Sequence, residues 1–116
     1  YPSFEGMVLK EADSDRSRND NLKEYKTWNL LSQEELYREK LAKTFLCTED
    51  GKFLVMERVK VTEGFDPEQT EFAKKMKEKI MREFGVKPGD VDIRGDAIGE
   101  GPNGYKIFDY PWISLE

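Results

Sequence analysis

A chain of 116 residues holds one hydrophobic core rather than two, so a second folded unit does not fit. Hydrophobic and charged residues each make up 37%, with 12% aromatic, a charge-rich balance that still leaves enough apolar surface to fold. The net charge of −5 argues against general affinity for nucleic acid except through a local basic face, the absence of histidine removes Ser-His-Asp and Cys-His chemistry, and the lone Cys47 forbids an intrachain disulfide and points to an intracellular, reducing compartment.

Residues 1–21 read as an extended or flexible approach segment, followed by a single α/β domain over 22–116. Met7, Val8 and Leu9 can supply an edge strand. Glu11 to Asn21 mixes charges with Ser and Asn and offers little to bury, so ordering it costs entropy without return and a solvated loop is expected. Leu22, Tyr25, Trp28, Leu30 and Leu31 form an apolar cluster without sustained period, read as an irregular cover. Ser32-Gln33-Glu34-Glu35 has the form of a capping box, with Leu31 and Leu36 placed as its hydrophobic staple, and predicts a short helix from Gln33 to about Lys43. No apolar run approaches the roughly 18 residues a membrane span needs, and no charged-then-apolar leader opens the sequence, so neither membrane insertion nor an unprocessed export signal is expected, while a targeting peptide already removed before Tyr1 would leave no trace.

Thr44 to Glu49 and Lys52 to Val61 are predicted strands joined by Asp50-Gly51, a two-residue turn whose positive φ angles Asp and Gly tolerate. That turn sets Cys47 opposite Leu54, Phe45 opposite Met56, Leu46 opposite Val55 and Thr48 opposite Phe53. Both faces are then apolar, which calls for cover on two sides and a small helix, sheet, helix sandwich of α+β class. Cys47, inside the run Phe45-Leu46-Cys47, is read as a buried structural thiol.

A long helix is predicted over Pro67 to Phe84, with Asp66 as N-cap, Pro67 at the first helical position, Gln69 completing a capping box, and Gly85 and Pro88 ending it. Phe72, Ala73, Met76, Ile80 and Phe84 make its buried stripe. Lys74, Lys75, Lys77, Lys79 and Arg82 form a basic band, interleaved with Glu71, Glu78 and Glu83 at pairing distances, as a solvated face would be.

Gly64 to Val86 resembles the Nudix box, G-x5-E-x7-R-E-U-x-E-E-x-G-U, in length and glycine framing. Gly64, Ile80, Glu83, Gly85 and Val86 match, and the setting of hairpin, helix and second strand pair over Phe45 to Trp112 is also similar. In that family the glutamates hold divalent cations against a diphosphate. Here Thr70, Glu78, Lys79 and Arg82 replace the family's Glu, Arg, Glu and Glu, and two cations in place of carboxylates would repel a metal. The resemblance therefore implies a degenerate, catalytically inactive Nudix-like scaffold, and some such domains serve as structural parts of larger assemblies.

Val91 to Ile98 and Tyr105 to Ile113 are predicted as a second hairpin around Gly99-Glu100-Gly101-Pro102-Asn103-Gly104. The loop spells G-x-G-x-x-G, but a strand follows where a dinucleotide site needs a helix N-terminus. Asp90, Asp92 and Asp96 lack EF-hand spacing and read as solvated turn residues. The resulting expectation is a non-catalytic structural or protein-interaction module with protein partners, presenting Gly99, Gly101, Gly104, Tyr105, Tyr110 and Trp112. The alternative is an atypical nucleotide-diphosphate hydrolase or phosphate-ligand-binding domain in which Glu83, Lys79 and Arg82 contact the ligand. No catalytic residue, metal or cofactor is assigned.

Overall fold

A computed structural model describes residues 3–4, 6–61, 67–93, 97–101, 104–111 and 113–115. The expected N-cap Asp66 and the residues Gly64, Asp96 and Trp112 lie outside the described residues. The chain is a mixed α+β fold. In order it runs β1 (Ser3–Phe4), β2 (Met7–Glu11), α1 (Asp15–Leu31), α2 (Glu35–Lys40), β3 (Thr44–Cys47), β4 (Phe53–Glu57), β5 (Lys60–Val61), α3 (Pro67–Phe84), a 3-10 turn (Pro88–Asp90), β6 (Ile98–Gly101) and β7 (Gly104–Ile107). Among the described residues no helix is long and apolar enough to cross a membrane.

The charged tract expected to be a loop is instead the first half of α1, and the cluster expected to be irregular is its second half. Ser14 starts the helix: its hydroxyl accepts from the Ser17 amide at 3.1 Å, while Ser17 Oγ accepts from the Ser14 amide at 3.0 Å. This reciprocal box uses serine where the familiar pattern has Glu or Gln. Because α1 continues through Leu31, the Ser32 amide donates to Trp28 O at 2.8 Å and Ser32 becomes its C-cap. The expected box at Ser32 therefore does not form. The short α2 starts from Glu34, which makes no side-chain cap, and ends earlier than expected.

The strands form a four-stranded antiparallel sheet, β1-β2-β4-β3, and a three-stranded one, β5-β6-β7. The long strand expected over Lys52 to Val61 breaks after Glu57, so β4 and β5 belong to different sheets. A parallel bridge from Leu41 to Ile107, with the Ala42 amide donating to Ile107 O at 2.8 Å, ties the sheets together. The second hairpin extends its pairing into the stretch expected to be its loop: Gly99 pairs with Lys106 and Gly101 with Gly104.

At the first hairpin, Cys47 opposes Leu54 and Leu46 opposes Val55 as expected, but Thr44 rather than Phe45 opposes Met56. Phe45 is the extra residue of a bulge. The turn also differs, because Gly51 alone carries positive φ (76°) while Asp50, like every described non-glycine residue, does not. Its amide donates to Thr48 O at 2.9 Å, and Asp50 Oδ1 accepts from the Lys52 amide at 3.0 Å and from Thr48 Oγ1 at 2.9 Å. A Cβ on Gly51 would lie 2.3 Å from Arg18 O, so α1 approaches this turn closer than any side chain allows.

Two apolar clusters result. The larger joins Trp28 and Leu31 of α1, Tyr37 and Leu41, Met76 and Ile80 of α3, and Ile98 and Ile107 of the small sheet; α3 buries the stripe its sequence period predicts, with Phe72, Ala73 and Phe84 flanking. The smaller gathers Leu54 and Met56 with Ala42, Val8, Tyr25 and Cys47 on one face of the four-stranded sheet. The opposite face is open at its β3 edge, where two apolar hairpin faces suggested cover: Phe45 is 50% exposed and Leu46 is 58% exposed.

Candidate functional site

The inner face of α1 carries a polar stripe: Asn21, Glu24 and Thr27 are all buried and sit three residues apart, on one side of the helix. Buried polar groups need partners, and each finds one far along the chain. Asn21 Nδ2 donates to Gly51 O at 2.9 Å, and Thr27 Oγ1 donates to Ile113 O at 3.4 Å. Glu24, 1% exposed, accepts from Lys10 Nζ at 3.1 Å through Oε2 and from the Tyr110 amide at 3.3 Å through Oε1.

Lys10 also faces Asp109, 3.6 Å away, so two carboxylates converge on one ammonium group. Burial pushes the Glu24 carboxyl up to about 7; the Lys10 charge opposes that rise and Asp109 adds to it. A cleft of about 170 Å³ opens on the group, bordered by Lys10, Glu11, Ser17, Asp20, Glu24 and Asp109. Next to it Tyr110 is fully buried, its phenol donating to Ala42 O at 2.7 Å and pushed well above its usual range by burial. The half-buried Cys47 thiol, on the adjoining strand, is also pushed up, by burial first and then by Asp50 and Glu24. A thiol so shifted is a poor nucleophile at neutral pH.

A second carboxylate cluster forms where α3 meets α2. Tyr37 donates its phenol to Glu83 Oε2 at 2.7 Å, Lys79 pairs with Glu83 one helical turn away, and Lys79 Nζ also reaches Glu34 at 3.1 Å while lying 5.3 Å from the centre of the Tyr37 ring. The Lys79 hydrogen bond, then that of Tyr37, holds the Glu83 carboxyl below its ordinary range, and Lys79 is raised in return. Of the three residues expected to meet a phosphate, Glu83 and Lys79 are thus brought together but spend their charge on each other, and Arg82 is exposed beside them. Both oxygens of Glu83 already accept hydrogen bonds, whereas a hard cation needs several free ones. Among the described residues no group of three or more His, Cys, Asp or Glu side chains can hold a metal ion.

The described residues of the surface expected from the glycine loop and its aromatics have separate surroundings. Tyr110 belongs to the core, and Tyr105 packs its ring 5.7 Å from that of Phe72. Gly99 is needed where β5 crosses close, since a Cβ there would lie 2.4 Å from Lys60 O. Gly101 leaves room for the Lys106 side chain, whose ammonium group meets both Glu57 oxygens at 2.9 Å and so fastens one sheet to the other. Gly104 is exposed, and Trp112 lies outside the described residues.

The outer face of the four-stranded sheet was not singled out by sequence reasoning. Leu9, Val55 and Leu46 stand in one row across β2, β4 and β3, flanked by Met7 and Phe53 at alternate positions and by the bulged Phe45. None of these six side chains belongs to either apolar cluster. The run Phe45-Leu46-Cys47 was the available signal, but it reads equally well as a strand buried on both faces. No protein-family model matches the chain, and no curated protein matches its sequence.

Proposed function

We propose that the protein is a non-catalytic interaction module, a subunit of a larger assembly, and that its outer sheet face receives an apolar surface of a partner protein. The observation that carries this reading is the row Leu9, Val55 and Leu46 with Phe45 beside it, half or more exposed at Phe45 and Leu46 on the end strand β3. A contiguous apolar patch on a sheet is a recognised mark of a protein contact. The α3 region is read with it as a Nudix-like scaffold without metal chemistry, because the one carboxylate matching that family's set, Glu83, is held by Lys79 and Tyr37.

The test is to isolate the tagged full chain from its native source beside a Phe45→Lys, Leu46→Lys variant. A stoichiometric protein recovered with the wild type and lost with a folded variant is the expected outcome. Equal recovery by both removes this face from the contact. Mg²⁺-dependent hydrolysis of a nucleoside diphosphate compound, abolished by Glu83→Gln, would instead establish the phosphate-directed alternative.

A further inference from the structure

The junction of Lys10, Glu24 and Tyr110 joins three parts of the chain that are far apart in sequence. Lys10 comes from β2, Glu24 from the middle of α1, and Asp109 and Tyr110 from the segment that leaves β7. Around Glu24 stand Lys10 on β2, Asp109 and the neutral Tyr110 phenol on the last segment and the neutral Cys47 thiol on β3, while Glu11 on β2 and Asp20 on its own helix border the same cleft. The Lys10 ammonium is therefore shared between a sealed carboxylate, Glu24, and the more exposed Asp109.

Such an arrangement is poorly compensated when every carboxylate is ionised. An ion removed from water needs good partners, and the Lys10 ammonium, divided between Glu24 at 3.1 Å and Asp109 at 3.6 Å, and the Tyr110 amide offset only part of what burial costs the Glu24 carboxylate. A proton on Glu24 removes that cost, leaves Lys10 to its pair with Asp109, and keeps an oxygen for the Tyr110 amide. The cleft beside it provides the route by which the proton is exchanged with solvent.

We propose that this junction is a proton-sensitive latch: with a proton on Glu24 it fastens the segment after β7 to α1 and β2, and as Glu24 ionises the fastening loosens. Opening the segment returns the carboxylate to water, so ionisation favours the open form. The direction follows from linkage. A carboxyl held at about 7 in the fold and at 4.5 in an open chain gives a stability contribution fully present below 4.5, lost as the pH rises through 7. The latch is independent of the outer sheet face, and its failure leaves the partner-binding reading standing.

The experiment uses the full chain. In the wild type, carbon-13 NMR of the Glu24 carboxyl is expected to titrate near 7, with the Tyr110 amide resonance following the same midpoint and its hydrogen exchange, corrected for intrinsic rate, accelerating above it. A Glu24 midpoint in the ordinary carboxylate range, or a Tyr110 amide indifferent to that midpoint, overturns the proposal. Denaturant unfolding then compares wild type with Glu24→Gln, which imitates the protonated form. Relative to the variant, the wild-type ratio of folded to unfolded protein is expected to fall roughly a hundredfold between about pH 5 and 8. Parallel curves also overturn it. Should the variant not fold, the wild-type NMR titration decides alone.

Discussion

Glu24 and Glu83 have the same kinds of partner and opposite behaviour. Each accepts from one lysine ammonium and from one further donor, the Tyr110 amide in one case and the Tyr37 phenol in the other. Yet the Glu24 carboxyl is raised and the Glu83 carboxyl is lowered. The difference is water: Glu24 is sealed between α1, β2 and the last segment, so desolvation outweighs its lysine, whereas Glu83 lies at the surface, where desolvation is small and the hydrogen bonds prevail. A list of partners does not give the sign of a shift; burial has to be weighed against it.

The largest expected effect comes from removing Glu24 altogether. Glu24→Ala takes from Lys10 its partner at 3.1 Å and from the Tyr110 amide its acceptor, and should cost about 3 kcal/mol in urea unfolding at neutral pH. A loss as small as that from a surface carboxylate would erase the contrast with Glu83.

Next is Lys10→Met, which keeps the aliphatic stem but takes away the cation. The Glu24 midpoint should rise above its wild-type value. The cost should be about 2 kcal/mol at pH 8 and smaller at pH 5, where the carboxyl is protonated and needs no counter-charge. A pH-independent cost would mean that Lys10 acts through packing rather than charge.

How much of this was legible in the sequence depended on whether a helix hid apolar or polar residues. The helix α3 was read with its bounds because Pro67, Gly85 and the apolar stripe through Met76 and Ile80 all obey local rules. The helix α1 is hidden in the sequence because, besides Trp28 and Leu31, it buries Asn21, Glu24 and Thr27, which look solvent-facing until Gly51, Lys10, Tyr110 and Ile113 arrive from elsewhere. The same reason hid the candidate site, since each of its bonds spans a long sequence separation. The bulge at Phe45 was hidden differently: one extra residue in a strand leaves the apolar run unchanged while turning Phe45 and Leu46 outward. Tyr110 reads as a surface aromatic because composition cannot show that its hydroxyl has Ala42 O to meet.

Tyr110→Phe tests the neutral neighbour of the latch. It removes one buried hydrogen bond and leaves the Ala42 carbonyl without that donor, so about 1.5 kcal/mol should be lost, by the same amount at pH 5 and pH 8. A cost that grew with pH would place the phenol inside the titrating unit rather than beside it.

The smallest effect belongs to Glu83→Gln. The exposed pair with Lys79 is screened by solvent, so the variant should lose less than about 1 kcal/mol and keep its fold. Its pH dependence should nevertheless run opposite to that of Glu24. A carboxyl held below its ordinary value lends stability above the unfolded value of 4.5 and loses it as pH falls through the lowered one. The wild type should therefore exceed Glu83→Gln slightly at pH 7 and converge with it in acid, whereas the difference between wild type and Glu24→Gln develops on the alkaline side. Urea unfolding of both variants across pH 3 to 8 separates the two, and a Glu83 contribution that grows in acid would show that its lysine and tyrosine do not act on the ionised form.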